Sequence, residues 1–419
     1  MREERHDEIN IINLKPRLSI VMSLLDKKIH ETFQVLDLLK YEKNIAVAFS
    51  GGKDSTLLSI LLYEWLRSRG IKGKNIIFIH NDTLSELDLL EEHVRSFLER
   101  MCKLIKEMGN ECLSMISKPN HNFYWSVIVA GYPAPNFSFR WCVNRLKIIP
   151  NKSVLNDLIW RYGKVVLLTG HREDESTFRA RMIKQNSVCG LNEMSCNSSF
   201  FLKIDVKDAM KVMPIKNWTL DDVWEFLESV RDKFNLTQLF ELYGGNKEAR
   251  YGCWHCTLIK IQKNVYNLSP PYLYLEGARV LYRVISDMES MRLRKNWGRT
   301  QLGPLNALGR GIMLKTFPIV ERLSGKRLYG LDEEYLGNYT LREVFYWLDP
   351  SIANKLIWDS AKGLRDKEIR LIPIEKIRDV KITEEIKKEI EEKAKENFAY
   401  TFLVARGREY FYDILEKMS

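Results

Sequence analysis

Short apolar runs alternate with longer segments of helical periodicity through the first half of the chain. Four of these runs have the length of buried strands: 44–49, 75–80, 112–116 and 164–169. Residues 56–65 and 86–108, which lie between them, repeat apolar positions at helical spacing. Strands that alternate with helices predict right-handed crossovers and an α/β fold, with a doubly wound, mostly parallel sheet covered on both faces.

The pattern changes at both ends of this region. Residues 1–40 have helical spacing, and from about residue 269 onward the chain becomes largely helical and basic. Residues 379–396 are rich in Glu and Lys, which is typical of a solvated helix face. We therefore predict an N-terminal helical segment (1–40), an α/β domain (41–268) and a mainly helical accessory domain (269–419).

Composition narrows the class of protein. Of the 419 residues, 45% are hydrophobic and 29% are charged, as in soluble globular proteins. No apolar run approaches the roughly 18 residues of a membrane helix, and the run 18–25 lacks a cleavage site, so we expect a cytoplasmic protein without a membrane span. The net charge of +10 suits an anionic partner such as a nucleotide or a nucleic acid.

Polar segments follow three of the predicted strands, at 50–55, 81–86 and 170–179. Ligands of parallel sheets bind outside the carboxyl ends of the strands, so we expect these segments to converge on one crevice. The first of them reads Ser-Gly-Gly-Lys-Asp-Ser and leads into a helix. Its glycines permit a tight turn, and its free amides together with the helix dipole favour an anion.

Two charged residues within this loop refine the prediction. Lys53 adds a positive charge, whereas Asp54 suits an anion site only if it orients the loop or helps to hold Mg²⁺. The spacing differs from that of a Walker A loop. The alternative interpretation is a capped strand-to-helix turn without a ligand.

The sequence SGGKDS after an apolar strand resembles the PP-loop ATP pyrophosphatases, a family that includes phosphoadenosine phosphosulfate (PAPS) reductases and several thiolating enzymes. Residues 80–83 stand where that family contacts the nucleotide, and 213–224 resemble its P-[LI]-x-x-W-T-x-x-D-V-W segment. Thr219 and Asp222 in that segment also indicate a helix N-cap. The resemblance covers roughly residues 40–265 and implies an adenine nucleotide alpha hydrolase-like fold that uses ATP and Mg²⁺.

The resemblance also implies particular site residues. It assigns ATP binding to Ser50, Gly51, Gly52, Lys53, Asp54, Ser55, Asp82 and Gly170. It assigns catalytic roles to Lys53, Asp54 and Arg172, and substrate-phosphate contacts to Arg172 and Arg179. For the two arginines, the alternative is a salt-bridged helix start that involves Glu173 and Asp174.

Within the family the chain resembles DndC, the PP-loop protein of DNA phosphorothioation. The segments that carry this likeness are 131–135, 139–142, 146–148 and 250–257. The similar SspD proteins share the last of these, and one sequence does not separate the two branches. The likeness implies that ATP adenylylates a DNA backbone oxygen and that a cysteine desulfurase supplies sulfur.

Seven cysteines in such a chain do not indicate a disulfide framework. Cys253 and Cys256 have the C-x-x-C spacing of metal ligands, and Cys142 lies near Arg140 and Lys147, which would favour a thiolate. The resemblance implies a [4Fe-4S] cluster held by Cys142, Cys253, Cys256 and Cys196, with Cys189 competing for the last place. Zinc and a thioredoxin-like pair remain alternatives, and we expect Cys102 and Cys112 to be unliganded thiols.

A basic stretch at 292–299, with Arg310 beyond it, could contact nucleic-acid phosphates, and Trp297 could stack on a base. The alternative is a basic helix face with a core tryptophan.

DNA is the favoured acceptor, with tRNA thiolation as a chemically equivalent reaction. Because no cysteine follows Cys256, a PAPS or adenosine phosphosulfate reductase is disfavoured, and a non-catalytic nucleotide- or DNA-binding subunit stays open.

Overall fold

The structure is a computed structural model that describes residues 23–186, 200–202, 206–249, 252–262, 265–294, 302–328 and 377–418. At residues 178, 179, 182, 186, 267 and 294 it describes the backbone alone. The chain forms two compact units, and each unit is assembled from separate stretches of sequence. The first contains Met1–His80, Val94–Met115 and Leu155–Thr237, and the second contains Asn81–His93, Ile116–Val154 and Gln238–Ser419.

The first unit is built on an α/β sheet. Its strands are β1 (Asn44–Phe49), β2 (Asn75–Asn81), β3 (Glu111–Ser117), β4 (Val165–Thr169), β5 (Phe201–Leu202) and β6 (Ala209–Val212). The helices that alternate with them are α1 (Leu24–Asp37), α2 (Lys53–Ser68), α3 (Asp88–Glu107), α5 (Ile149–Tyr162), α6 (Thr177–Asn186) and α7 (Leu220–Ser229). The short helix α4 (Phe123–Ile128) belongs to the second unit.

Within the described residues, six strands form one sheet in the order β3-β2-β1-β4-β6-β5. β1 pairs in parallel with β2 and with β4, β4 pairs in parallel with β6, and β5 is antiparallel to β6. The strand order therefore reverses between β1 and β4, which makes the carboxyl ends of these two strands a topological switch point. The predicted mostly parallel, doubly wound fold is confirmed.

Local sequence explains where the elements begin. Burial of Ile45, Val47 and Phe49 in β1 follows from its continuous apolar run. At the start of α7, the Thr219 hydroxyl accepts from the Asp222 N–H, and the Asp222 carboxylate accepts from the Thr219 N–H. This reciprocal cap confirms the helix start predicted from the sequence.

The second unit has a helical core. Its longer helices are α8 (Thr237–Tyr243), α9 (Leu273–Asp287), α10 (Ala307–Ser324), α11 (Glu384–Lys395), α12 (Phe398–Val404) and α13 (Glu409–Glu416), beside the antiparallel strands β7 (Arg292–Arg294) and β8 (Leu302–Leu305). One hydrophobic cluster joins Phe123, Trp254, Leu281 and Phe411. The predicted boundary at 268/269 lies within this unit and stays a prediction.

Two further findings concern the chain as a whole. The structure joins Cys102 and Cys112 in a disulfide, so the expectation that both are free thiols is wrong. Their Cα atoms are 5.1 Å apart, because α3 ends where β3 begins and brings the two residues together. Among the described helices, none has both the length and the apolar character needed to cross a bilayer.

Candidate functional site

The loop between β1 and α2 is a tight turn with a glycine where one is needed. Gly51 has a φ of 75°, a left-handed conformation that a residue with a side chain rarely adopts. Ser55 Oγ donates to the Gly52 carbonyl at 2.9 Å and lies 3.2 Å from Ser50 Oγ. These contacts hold the two ends of the hexapeptide together and leave the start of α2 free of side-chain caps.

The first amides of α2 have no acceptor within the helix, and its dipole is positive at this end. Lys53 is 7% exposed, and its Nζ lies 3.5 Å from Asp54 Oδ2. A buried ammonium group at the N-terminal end of a helix suits a polyanion such as a nucleotide's phosphates.

The end of β4 approaches this loop closely. A Cβ placed on Gly170 would lie 3.0 Å from the backbone carbon and oxygen of Asp54 and 3.2 Å from the Ser55 nitrogen. The switch point between β1 and β4 therefore requires a residue without a side chain at position 170. Two of the predicted polar segments, 50–55 and 170–179, thus meet as expected.

Arg172 connects the two loops. It is 2% exposed, and its Nε donates to Asp54 Oδ1 at 2.6 Å. Its Nη1 donates to Asp174 Oδ2 at 3.2 Å and to the Trp218 carbonyl at 3.1 Å. Asp54 is therefore oriented by an arginine, while its expected role in orienting the loop or holding Mg²⁺ stays a prediction. A role for Arg172 in binding substrate stays a prediction, and the side chain of Arg179 lies outside the described part.

A second candidate site lies in the second unit, where three free cysteines interact electrostatically with Lys147. Cys142 belongs to the helical turn Trp141–Val143, while Cys253 and Cys256 lie on the loop that precedes α9. The charge of Cys253 when ionised, with the charges of Glu86 and the other two cysteines, raises the pKa of buried Lys147 against the opposing effect of burial. The structure thus brings together the three described cysteines that the sequence grouped. Cys189 and Cys196 lie outside the described residues.

Burial dominates the ionisation of Cys142 and Cys253. It raises the pKa of Cys142 to about 11, with Cys256 adding to the effect, and raises that of Cys253 to about 12 although Lys147 opposes it. Lys147 does act to lower the pKa of Cys142, but burial outweighs it, so the expected preference for a Cys142 thiolate is wrong. A bound cation would reverse this, because thiolates are the form that ligates metals.

Cys253 has two polar neighbours that the sequence did not single out individually. Its Sγ lies 3.2 Å from the Thr83 hydroxyl and 3.6 Å from Glu86 Oε1. Burial raises the pKa of Glu86, while Lys147 and hydrogen bonds from Thr83 oppose that rise. One buried thiol and two half-buried thiols with a lysine beside them offer the donor type of a thiolate-bound metal centre, and the ammonium group would offset part of the thiolate charge.

Asp82, which the resemblance assigned to ATP, caps a short turn. Its Oδ1 accepts from the Leu84 N–H at 2.8 Å, and its Oδ2 lies 3.3 Å from Lys118 Nζ. Leu84 has a φ of 60°, which this contact helps to hold. Oxygens of Asp82, Glu86 and Glu91 lie within 4.8 Å of one another. A nucleotide contact by Asp82 stays a prediction.

His255, between the two cysteines of the C-x-x-C pair, is a further buried polar group. Its ring stacks on Phe123 with centroids 3.5 Å apart, and burial lowers its pKa to about 3. Within the described residues, neither ring nitrogen has a hydrogen-bond partner. Sequence pattern offers no signal for this, because the aromatic partner is 132 positions away in the chain.

Two of the basic residues considered for nucleic-acid contact have internal roles instead. Arg310 is fully buried and donates to the carbonyls of Leu305 and Val129. Arg292 donates from all three guanidinium nitrogens to carbonyls of residues 286, 302 and 303. The expectation is therefore wrong for both, because Arg310 is buried and backbone carbonyls accept from every guanidinium nitrogen of Arg292. Trp297 and Arg299 lie outside the described residues.

Comparisons with known proteins add the family. A relative, the uncharacterised protein MJ0066 of Methanocaldococcus jannaschii, is 28% identical over 58% of this chain and 42% of its own length. The alignment therefore spans less than half of that relative.

Solved structures with similar folds include the PAPS reductase of Candida auris in a phosphate complex (12% identity, TM-score 0.33, 58% of this chain and 100% of that one). The U34-tRNA thiolase NcsA of Methanococcus maripaludis, solved with its [4Fe-4S] cluster, is 17% identical (TM-score 0.31, 54% and 74%). Candida glabrata FMN adenylyltransferase with FMN and an ATP analogue is 15% identical (TM-score 0.31, 51% and 60%). Likenesses of this degree carry no statement about activity.

A family model also matches the chain. Residues 44–259, just over half of the chain, match the phosphoadenosine phosphosulfate reductase domain. That stretch contains the phosphate loop, Gly170, Arg172 and all three cysteines around Lys147. The chain belongs to the phosphoadenosine phosphosulfate reductase domain family.

Proposed function

We propose that the chain is an ATP pyrophosphatase and sulfurtransferase that activates a nucleic-acid oxygen, on the DNA backbone in the first instance, for replacement by sulfur. The observation that carries the proposal is the turn at Gly51, which leaves the first amides of α2 beside buried Lys53 at the switch point of the sheet. Open parallel sheets bind nucleotides at such a point.

In the first step, the acceptor oxygen attacks the α-phosphorus of ATP, and pyrophosphate leaves. Amides of the phosphate loop and Lys53 would stabilise the charge that develops on the departing pyrophosphate. Asp54, held by Arg172, would orient the loop or a Mg²⁺ ion that accompanies the nucleotide. Ser50, Ser55, Asp82 and Gly170 complete the proposed ATP site.

In the second step, a sulfur nucleophile attacks the adenylylated centre, and AMP leaves with the original oxygen. Cys142, Cys253 and Cys256 would hold a [4Fe-4S] cluster, with Cys196 as the proposed fourth ligand, and zinc is the alternative occupant. If only three cysteines bind the cluster, the iron without a cysteine ligand would be able to carry the sulfur that is transferred. A cysteine desulfurase is the proposed donor, and its persulfide sulfur needs two electrons from a thiol reductant to reach the sulfide level.

The acceptor is proposed from charge and resemblance. The chain carries 65 Lys and Arg against 55 Asp and Glu, an excess that favours polyanions. DNA phosphorothioation rests on the likeness to DndC, and tRNA thiolation would use the same two steps. Arg172 and Arg179 are the proposed substrate-phosphate contacts.

Anaerobically purified chain would be incubated with ATP, Mg²⁺, sulfide and either duplex DNA or tRNA. We expect pyrophosphate and AMP to form with the true acceptor, and mass spectrometry of nuclease digests to find sulfur in that acceptor alone. Lys53→Met should abolish pyrophosphate release, while Lys106→Met, on the exposed face of α3, should leave it unchanged.

Release of ADP and orthophosphate, or sulfur incorporation that does not depend on ATP, would contradict the proposal.

The identity of the bound metal is tested separately. Visible absorption together with equal iron and sulfide content supports the cluster, whereas a colourless protein with one bound zinc supports the alternative. Cys253→Ala should remove either metal.

A further inference from the structure

We propose that two residues of helix α9 position the thiols. Arg279 holds the loop that carries Cys256, and Tyr282 holds the loop that leads to Cys142. This inference deepens the proposed function, on which it rests, because it concerns the site where sulfur would be held. It concerns positioning residues, since neither side chain touches a reacting atom.

Arg279 holds the chain that follows Cys256. The side chain is 1% exposed, and its Nη1 donates to the carbonyls of Cys256 at 3.1 Å and Ile259 at 3.0 Å. Its Nη2 donates to the Lys260 carbonyl at 3.2 Å. One planar guanidinium thus fixes three carbonyls of a segment that is neither helix nor strand, which an ammonium group could not do in the same geometry.

Glu276, one helical turn before Arg279, fixes the guanidinium itself. It is fully buried, and its Oε2 accepts from Arg279 Nε at 2.6 Å while its Oε1 accepts from Nη2. The Tyr266 hydroxyl donates to the same carboxylate at 3.3 Å. A buried ion pair gives little net stability but breaks at high cost, so its value here lies in fixing one geometry.

The same helix holds the other thiol-bearing segment. Tyr282 Oη donates to the Tyr132 carbonyl at 2.9 Å, and the Ser286 hydroxyl accepts from the Ala134 N–H at 2.7 Å. The Trp141 indole donates to the Pro133 carbonyl at 2.9 Å, directly before Cys142. The loop 132–135 therefore lies between α9 and the turn that carries Cys142.

Thr257 joins the segment that carries Cys256 to the loop that leads to Cys142. Its hydroxyl donates at 2.6 Å to the Pro135 carbonyl, so the residue after Cys256 is bonded to the loop that leads to Cys142. Positions 276, 279, 282 and 286 are spaced by three, three and four residues, which places them along one face of α9. That face lies outside the matched family region 44–259.

The test measures each thiol in the full-length chain after chelator treatment, by iodoacetamide alkylation and peptide mass spectrometry. Arg279→Lys keeps the positive charge beside Glu276 but loses the planar guanidinium that binds three carbonyls. We expect Cys256 to react about tenfold faster in this variant, because its segment opens locally. Tyr282→Phe keeps the ring and should accelerate Cys142 with Cys256 unchanged. Arg283→Met, one position further along α9, is the matched control and should alter neither rate.

Loss of the Arg279 guanidinium could leave the buried Glu276 carboxylate unpaired and prevent folding. A Glu276→Gln/Arg279→Met variant removes both buried charges and so avoids this problem. Folded variants with all thiol rates unchanged overturn the proposal, as does a uniform rise of every rate with a lowered melting temperature. These rates need neither ATP nor a cluster. If the protein proves inactive in sulfur transfer but the selective changes appear, the positioning stands and the proposed function fails.

Discussion

At Gly170, the lack of a side chain determines how closely the end of β4 approaches the phosphate loop. Its φ lies outside the left-handed region, so an alanine at this position would clash with the Asp54 backbone but would not strain its own backbone. We expect Gly170→Ala to displace the backbone of Asp54 and to weaken ATP binding about tenfold to a hundredfold. Titration calorimetry with a non-hydrolysable ATP analogue measures this.

Gly70→Ala is the control that separates an effect on ATP affinity from an effect on the stability of the fold. Gly70 has a φ of 59° with open space around it, so the substitution should cost roughly 1–2 kcal/mol of stability through backbone strain and leave ATP affinity intact. Equal ATP affinity in the Gly170→Ala protein and the wild type would mean that no nucleotide binds at the switch point.

The unpaired imidazole of His255 leads to a second prediction at this scale. Each buried polar group without a partner costs about 1–3 kcal/mol, and phenylalanine would retain the stack on Phe123. His255→Phe should therefore stabilise the chelator-treated chain by about 1 kcal/mol or more in urea unfolding. Trp254→Phe, which removes the neighbouring indole, is expected to destabilise. A less stable His255→Phe chain would reveal a partner for the ring.

Single residues differ in how far the sequence predicts them. Gly51 could be predicted, because only glycine readily takes a left-handed turn before a helix. The burial of Arg310 could not, because a basic residue at a helix start has the same pattern whether it faces water or backbone carbonyls. Nor does local sequence predict the high pKa of Cys142, since burial by distant segments outweighs the basic neighbours.

At the scale of elements, β1 and β4 were predicted within a residue of their observed ends, because continuous apolar runs identify buried parallel strands. The segment from Trp141 to Tyr162 was not predicted as a unit. It passes from a short helix through a π-helical turn into α5, and its exposed apolar residues Ile148 and Ile149 break the helical periodicity.

The contact between α1 and α2 depends on pH in a direction that can be worked out. Burial acts to raise the pKa of Asp37, but hydrogen bonds from Arg69 and Trp65 outweigh it and lower the pKa below its ordinary 3.8. The unfolded chain thus binds the proton more readily, so the contribution is complete above about pH 4 and is lost as the pH falls through the lowered value.

We therefore expect Asp37→Asn to destabilise the chain at neutral pH and to differ less from the wild type as the pH falls below about 4. Urea unfolding at several pH values measures the difference. Asp157→Asn breaks an exposed pair with Arg161 and should have little effect, as exposed pairs do. A difference between Asp37→Asn and the wild type that grows on acidification would contradict the assignment.

At the scale of the whole molecule, the compact units follow contacts that sequence pattern does not reveal. Residues 81–93 and 116–154 fall among the α/β elements along the chain yet belong with the C-terminal helices. Hydrophobic periodicity reports which face of an element is apolar, not which distant element covers it. The predicted accessory domain at 269–419 was drawn from a change in local pattern alone.

Truncation tests that boundary directly. Phe123 and Trp254 pack in one cluster with residues of α9, α10 and α13, and fully burying such side chains stabilises by about 1.5–3 kcal/mol each. A chain that ends at residue 268 should lose amide protection across 123–128 and 252–262 in hydrogen exchange, while β1 and β4 keep theirs. The full-length chain with Lys106→Met, which alters one exposed side chain, serves as the protected reference. Unchanged protection in 123–128 would instead establish an independent domain that ends at 268, and the thiols would then be positioned without α9.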